Sequence, residues 1–366
     1  MKSLLSRQLV KLVPIAAALS MVGVLNASQA QEMQEVTVLF GAPVPNVTQS
    51  VLISVPQEMG YFEQEGLRVK EINAGLGEPL QAVATGLADF QNPEANKLVT
   101  AVGSGLPLKA FARVATTWAW SVAVRPDSPI TSVADLRGKK VGVISLVSGS
   151  AGFARTALEA SGVDLTEVEL LPVGVGVSAA QALENGTVDA LTSWIADYRH
   201  METAGFALRY LPNPPKFDGL MGMVWVASNK LLQEQPELAE KFARAAFKGV
   251  IFSAVNPEAA IRMGWKRHPD MQPAAGDEQD ALQKDLKIIE AQLSTFLPKE
   301  GDLVEHKWGA ASEADWEDII AYEVNIGTVK TTPSPSDLWY SGIMGGINDF
   351  DKNAVIDQAR NYHVAE

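Results

Sequence analysis

Residues 56–90, PQEMGYFEQEGLRVKEINAGLGEPLQAVATGLADF, leave few folds open. They read as helix, turn, strand, loop, helix, turn, strand. A helix closes over residues 57–62, Gly66 stops it, and Leu67, Arg68 and Val69 start a strand. Leu80, Val83, Ala84 and Leu87 then fall at i, i+3, i+4 and i+7, the spacing of one apolar helix face. Gly86 ends that helix, and Ala88, Asp89 and Phe90 open the next strand. Strands separated by helices and short joints lie parallel, so this stretch predicts an α/β sheet.

The same device recurs along the chain. Residues 36–40 form a first strand, short and apolar like a buried parallel strand. A loop leaves its carboxyl end through Pro43, Val44, Pro45 and Asn46, and a helix follows, capped near Asn46 or Thr48. Ligands of open α/β sheets bind outside the carboxyl ends of strands, so this loop is a pocket candidate. Residues 91–96, with Asn92 and Glu94, follow the next strand and are a second candidate. Strands are expected at 108–114 and 119–124. A short helix at 135–137 is stopped by Gly138, and a second βαβ run begins: strand 141–144, loop 145–150, helix 151–160, strand 168–173, helix 178–185, strand 188–191. Residues 182–190 echo residues 84–90, a helix ended by Gly and a strand begun by Asp. A strand at 223–227 returns the chain to the first unit. From residue 231 onward helices dominate, at 238–255, 257–265, 278–297, 314–320 and 335–348, with Trp265, Trp308, Trp316 and Trp339 assigned to packing.

Two passages carry a resemblance. Gly60-Tyr61-Phe62-Glu63-Gln64-Glu65-Gly66-Leu67-Arg68-Val69 with 84–90, and the run from Ser128-Pro129-Ile130 through Asp135-Leu136-Arg137-Gly138-Lys139 to Val143, resemble the periplasmic binding proteins of nitrate, sulfonate, taurine and thiamine-precursor importers. The resemblance covers most of residues 36–255. It implies a two-lobe periplasmic binding protein fold, each lobe a mostly parallel sheet flanked by helices, with two crossover strands as hinge. The expected division is 31–121 and 223–366 for the first lobe and 122–222 for the second. It further implies capture of a small molecule by hinge closure, delivery to an ABC permease with its ATPase, no cofactor, and a monomer.

Residues 1–30 read as a signal peptide: Lys2, Arg7 and Lys11 precede an apolar run at 12–25, and Ser28-Gln29-Ala30 places small residues at the cleavage positions. The apolar run is shorter than the roughly 18 residues of a membrane span. The expected mature chain starts near Gln31 and is exported to the periplasm. Removing the three positive charges takes the net charge from −13 to −16, which disfavours nucleic acid and anionic membrane as partners. The chain has no Cys, so it has neither disulfides nor thiol nucleophiles nor thiolate metal sites.

A catalytic set is not found. The four histidines, His200, His268, His306 and His363, do not fall at metal-ligand spacings. Ser148-Gly149-Ser150 is flanked by Val147 and Ala151 and is no nucleophile elbow. Gly174-Val175-Gly176 lacks the third Gly of a dinucleotide fingerprint. An enzyme branch of the resembling superfamily makes the thiamine pyrimidine through a Cys-rich motif, which a chain without Cys cannot form. A secreted enzyme on the same fold is the alternative of another class, and no nucleophile can be nominated for it.

What remains is polar loops and aromatics. Ser148, Gly149 and Ser150 open a helix whose free N–H groups suit an anion, though the same pattern serves ordinary capping. Gly174 and Val175 lead into a second such start. Trp118 and Trp120 flank the first crossover, and one of them is expected to face the cleft. Trp194 ends Asp189-Ala190-Leu191-Thr192-Ser193-Trp194, which resembles the sulfonate and taurine members; the Ile195-Ala196-Asp197-Tyr198 that follows departs from them. Glu94 and Asp197 are acidic candidates, Glu94 for an amine or aminopyrimidine N–H. The expected ligand is a small organic anion, a sulfonate or aromatic carboxylate, with a thiamine-precursor-like pyrimidine as the alternative.

Overall fold

The computed structural model describes residues 33–40, 45–73, 79–146, 148–217, 219–274, 276–299 and 302–363. The expected signal peptide, and with it Lys2 to Ala30, lies outside the described residues, as do Pro43 and Val44. No helix among the described residues is long and apolar enough to cross a membrane.

Ten strands form two five-stranded sheets. The first runs β2 (Leu67–Asn73), β1 (Gln34–Phe40), β3 (Phe90–Gln91), β10 (Val224–Ser228), β4 (Leu108–Arg113). The second runs β7 (Glu169–Pro172), β6 (Lys140–Val143), β8 (Ala190–Trp194), β5 (Trp120–Val124), β9 (Arg209–Leu211). In each, four strands run parallel, and the one strand that arrives from the other lobe pairs antiparallel with both of its neighbours. The two crossings are therefore the connecting segments just outside β5 and β10 rather than the strands themselves. They lie side by side: Val114 and Ala115 N–H donate to the Met223 carbonyl at 2.8 and 3.0 Å, and Gly222 N–H donates to Ala115 at 3.2 Å.

The Asp that opens each parallel strand has a structural reason. Asp89 Oδ2 accepts from Thr37 N–H at 2.7 Å, and Asp189 Oδ2 accepts from Lys140 N–H at 2.9 Å. Each carboxylate extends the ladder by one bond just ahead of the strand that its own residue precedes.

Three local readings are corrected by the structure. The 57–62 helix is two short helices, Val55–Glu58 and Tyr61–Gln64, because Gly60 at φ 69° takes the left-handed conformation that glycine enters without a Cβ clash. Leu87 does not join the apolar face of its helix: that helix ends at Ala84, Gly86 turns with φ 77°, and Leu87 is 78% exposed. The 335–348 helix is broken into Pro335–Leu338 and Met344–Ile347, because Trp339 turns extended and bridges to Ala110, with Tyr340 N–H donating to Ala110 at 2.9 Å.

The core of the first lobe centres on Phe242 of the Pro236–Val255 helix, whose ring lies 4.6 Å from Phe90, 5.4 Å from Phe62 and 4.8 Å from Trp225. Two glycines let helices press against the π-helical turn Ser50–Ser54 that follows the first pocket loop. A Cβ on Gly249 would stand 2.7 Å from the Val51 carbonyl oxygen, and one on Gly264 would collide with Ser50. A second apolar core is continuous across both lobes. Its bridge is aromatic: Phe217 lies 5.0 Å from Phe153 of the Gly149–Ala160 helix and 5.7 Å from Tyr322, and Trp118 lies 5.3 Å from Tyr322. Tyr322 belongs to the Glu313–Asn325 helix, which packs on the Ala95–Gly103 helix of the first lobe.

Candidate functional site

Where the crossings meet the carboxyl ends of β1, β3 and β8, the described residues enclose a cavity of about 140 Å³. Its walls are Asn46 and Thr48 from the loop after β1, Glu94 after β3, Trp120 and Trp194, the crossing residues Ala115, Ala119, Gly222 and Met223, and Gln292 and Thr295. An apolar cavity of about 150 Å³ holds one benzene ring, so this space matches a molecule of one small ring.

Each wall has a local cause. Asn46 is an N-cap, its side chain accepting from Thr48 N–H at 3.0 Å, which fixes both residues at the cavity mouth. Trp120 and Trp194 are partners across the antiparallel β5–β8 pair and so project from the same sheet face. Their rings meet edge to face, with centroids 6.1 Å apart and planes at 64°. Trp118, two residues earlier and outside β5, turns instead to Phe217 and Tyr322. Gly149 abuts Trp120: a Cβ there would lie 3.3 Å from the indole Cζ2.

Glu94 is the only ionisable side chain among those lining residues. It occupies the N-cap position of the Ala95–Gly103 helix without capping it. Part of the residue is exposed, but its Oε2 is sealed from solvent and has no hydrogen-bond partner. Burial pushes its pKa up to about 7, against the charge of Lys97 and the indole of Trp120, which both favour the ionised form. Gln292 and Thr295 come from the Glu278–Phe296 helix and hydrogen-bond each other at 3.2 Å. The end of that helix is tied to the first crossing, Thr116 Oγ1 donating to Leu297 at 2.8 Å.

Other candidates stand elsewhere. Asn92 is buried and directs its amide toward Met223 Sδ at 4.0 Å. Pro45 leads into the Asn46 cap but is not among the lining residues. Ser148 and Ser150 spend their hydroxyls on their own loop: Ser145 N–H donates to Ser148 Oγ at 3.1 Å, and Ile144 N–H donates to Ser150 Oγ at 2.7 Å. Asp197 faces into the second lobe, accepting from Gly176 N–H at 2.9 Å and from the Ser193 hydroxyl at 2.5 Å. It thereby pins the Gly174-Val175-Gly176 turn, where Gly174 at φ 77° and Gly176 at φ 60° sit in the glycine region and Val175 is exposed. Among the described residues no cluster of three His, Asp or Glu could hold a metal.

The similarities of the chain agree with this architecture. It is 24% identical over 286 residues to a formylaminopyrimidine-binding protein from Halalkalibacterium halodurans, covering 76% of this chain and 81% of that one. It is 25% identical over 269 residues to the riboflavin-binding protein RibY from Chloroflexus aurantiacus, covering 72% and 75% of the two. The fold superposes on the periplasmic sulfonate-binding protein SsuA of a putative sulfonate ABC transporter from Methylobacillus flagellatus KT, with a TM-score of 0.61 at 17% identity over 86% of this chain and 94% of that one. Both lobes follow the periplasmic binding protein architecture. Residues 47–260, which supply Thr48, Glu94, both cavity tryptophans and both crossings, match the model of the family described as NMT1/THI5 like, and the chain belongs to that family.

Proposed function

We propose that this protein is the periplasmic substrate-binding component of an ABC importer, and that it holds one small, flat organic molecule between its lobes. The observation that supports this most is the cavity itself, built from both lobes and both crossings and walled by Trp120 and Trp194. A ligand in such a place contacts both lobes at once and so favours the closed arrangement over an open one. The crossings at 114–119 and 212–223 are the proposed hinge. Binding rather than turnover fits a lining in which Glu94 is the one ionisable group. The anionic ligand favoured by the sequence finds no Lys, Arg or His in that lining. A single-ring nitrogen heterocycle is the second reading, favoured by the cavity's size and by the similarity to a formylaminopyrimidine-binding protein.

Native mass spectrometry of the purified protein tests the proposal. A discrete small mass that leaves on mild unfolding is expected, and its identity names the ligand. Trp194→Ala removes one aromatic wall, and the affinity for that ligand should fall about tenfold, since aromatic contacts contribute on the order of 1 kcal/mol. Unchanged affinity in a folded Trp194→Ala protein would place the ligand outside this cavity.

A further inference from the structure

Three features of the molecule could act beyond what has been described. The Glu65, Arg244 and Lys248 cluster is closed on itself, with Arg244 Nη2 2.8 Å and Lys248 Nζ 3.2 Å from the Glu65 carboxylate, and is a structural ion group. The groove beside edge strand β4, with Lys109, Gln233 and Asp337 on its walls, has nothing that indicates an occupant. The Glu94 carboxylate is different, because its Oε2 is buried without a partner on the wall of the cavity.

We propose that Glu94 is the specificity-determining residue of the cavity and that it selects a small organic cation bearing N–H groups, a protonated amine, over anions and over neutral molecules of the same shape. This rests on the reading of the cavity as a capture site. A buried carboxylate oxygen without a partner is costly, and proteins rarely leave one so. Glu94 had local alternatives: it stands at an N-cap, where it could have bonded its own helix, and it does not. Lys97 on the same helix lowers the cost of its charge. Its Oε2 therefore remains open to a donor supplied from the cavity. An ammonium group would meet three matched elements there: a full negative charge, an acceptor oxygen within a low-dielectric wall, and two indoles, whose π faces attract cations. A sulfonate or carboxylate would meet the same negative charge with no lining cation to offset it. The side chains that face Glu94 from other elements add no second charge near neutrality: Trp120 does not titrate, and the Tyr322 hydroxyl is held far above neutral pH by burial.

The test uses the full folded protein at pH 8 and two matched sets of probes. One set is benzylammonium, benzyl alcohol and phenylmethanesulfonate; the other is ethanolammonium, ethylene glycol and isethionate. Thermal shift finds binders, and titration calorimetry measures them. At least one ammonium probe is expected to raise the melting temperature while its alcohol and sulfonate counterparts do not. Glu94→Gln should weaken that ammonium at least about tenfold, the usual size of a lost charged hydrogen bond. Glu94→Asp, which keeps the charge, should retain the preference for ammonium over sulfonate. No shift with either ammonium, or an ammonium shift that survives Glu94→Gln, overturns the assignment. A sulfonate shift abolished by Trp194→Ala would overturn the cation preference and leave capture in this cavity standing. Shifts that survive both Trp194→Ala and Glu94→Gln would overturn the capture reading as well.

Discussion

At pH 8 the ligand-free Glu94→Gln protein should unfold several degrees above the parent, and at pH 4 the two should coincide. The folded state holds the Glu94 proton up to about pH 7, whereas the unfolded chain releases it in the ordinary carboxylate range near 4.5. Between those values the folded state binds more protons than the unfolded one, so the parent loses stability as pH rises, and above pH 7 the whole penalty is present. Glutamine is neutral throughout and carries none of it. The difference amounts to about 3 kcal/mol at full effect, on the order of 5 °C for a chain of this size. Lys97 is the one cation acting on the group. Circular dichroism melts in steps from pH 4 to pH 8 measure it. A gap between the two proteins that does not change with pH would mean that Glu94 ionises without cost, and the argument for a sealed carboxylate would be lost.

Gly249→Ala should destabilise the protein by about 2–3 kcal/mol, the usual cost of overpacking a well-filled core less the helix preference of alanine. The added Cβ would lie 2.5 and 2.6 Å from Pro56 Cγ and Cδ and 2.7 Å from the Val51 carbonyl oxygen. A proline ring and a backbone carbonyl cannot rotate away as a flexible side chain would, so the Pro236–Val255 helix and the Ser50–Ser54 turn must separate. Because that turn continues the segment that carries Asn46 and Thr48, ligand affinity should fall together with stability. Gly152→Ala is the control. Nothing lies within 4 Å of its Cβ position, it sits inside the Gly149–Ala160 helix, and it should gain roughly 0.5–1 kcal/mol. Urea unfolding compares all three. A Gly249→Ala protein as stable as the parent would contradict the close approach of the two segments.

How much of this was legible from sequence follows from the range of the forces involved. Strand ends are local features, and they led to Asn46, Glu94, Trp120 and Trp194, all of which the structure brings to one cavity. Trp118 parts from Trp120 because it stands before β5 begins; within a strand the period would have put both on one face. Gln292 and Thr295 carried no such signal. They sit in an ordinary amphipathic helix, and their place depends on how the last third of the chain docks onto the first crossing through Thr116. Met223 and Gly222 were visible as a return segment but not as a wall, because a wall needs the other crossing beside it. Ser148 and Ser150 stand away from this cavity with their hydroxyls turned to their own loop, and Asp197 is taken up by the Gly176 N–H and the Ser193 hydroxyl of the second lobe. Leu87 shows the limit of periodicity, since Gly86 ended the helix before the seventh position was reached. The long C-terminal helix expected at 335–348 lost to a sheet-edge contact at Ala110, a tertiary term that no local propensity contains.

The aromatic bridge of Phe153, Phe217, Trp118 and Tyr322 bears on how the protein comes apart. Side chains from both sheets share one uninterrupted apolar core, so unfolding either lobe would strip contacts from the other. The cooperative unit of denaturation is then larger than a lobe, and heat or urea should take both sheets through a single transition. Any opening of the cleft has to proceed within that constraint, as a swing about the bridge rather than a parting of two independent bodies.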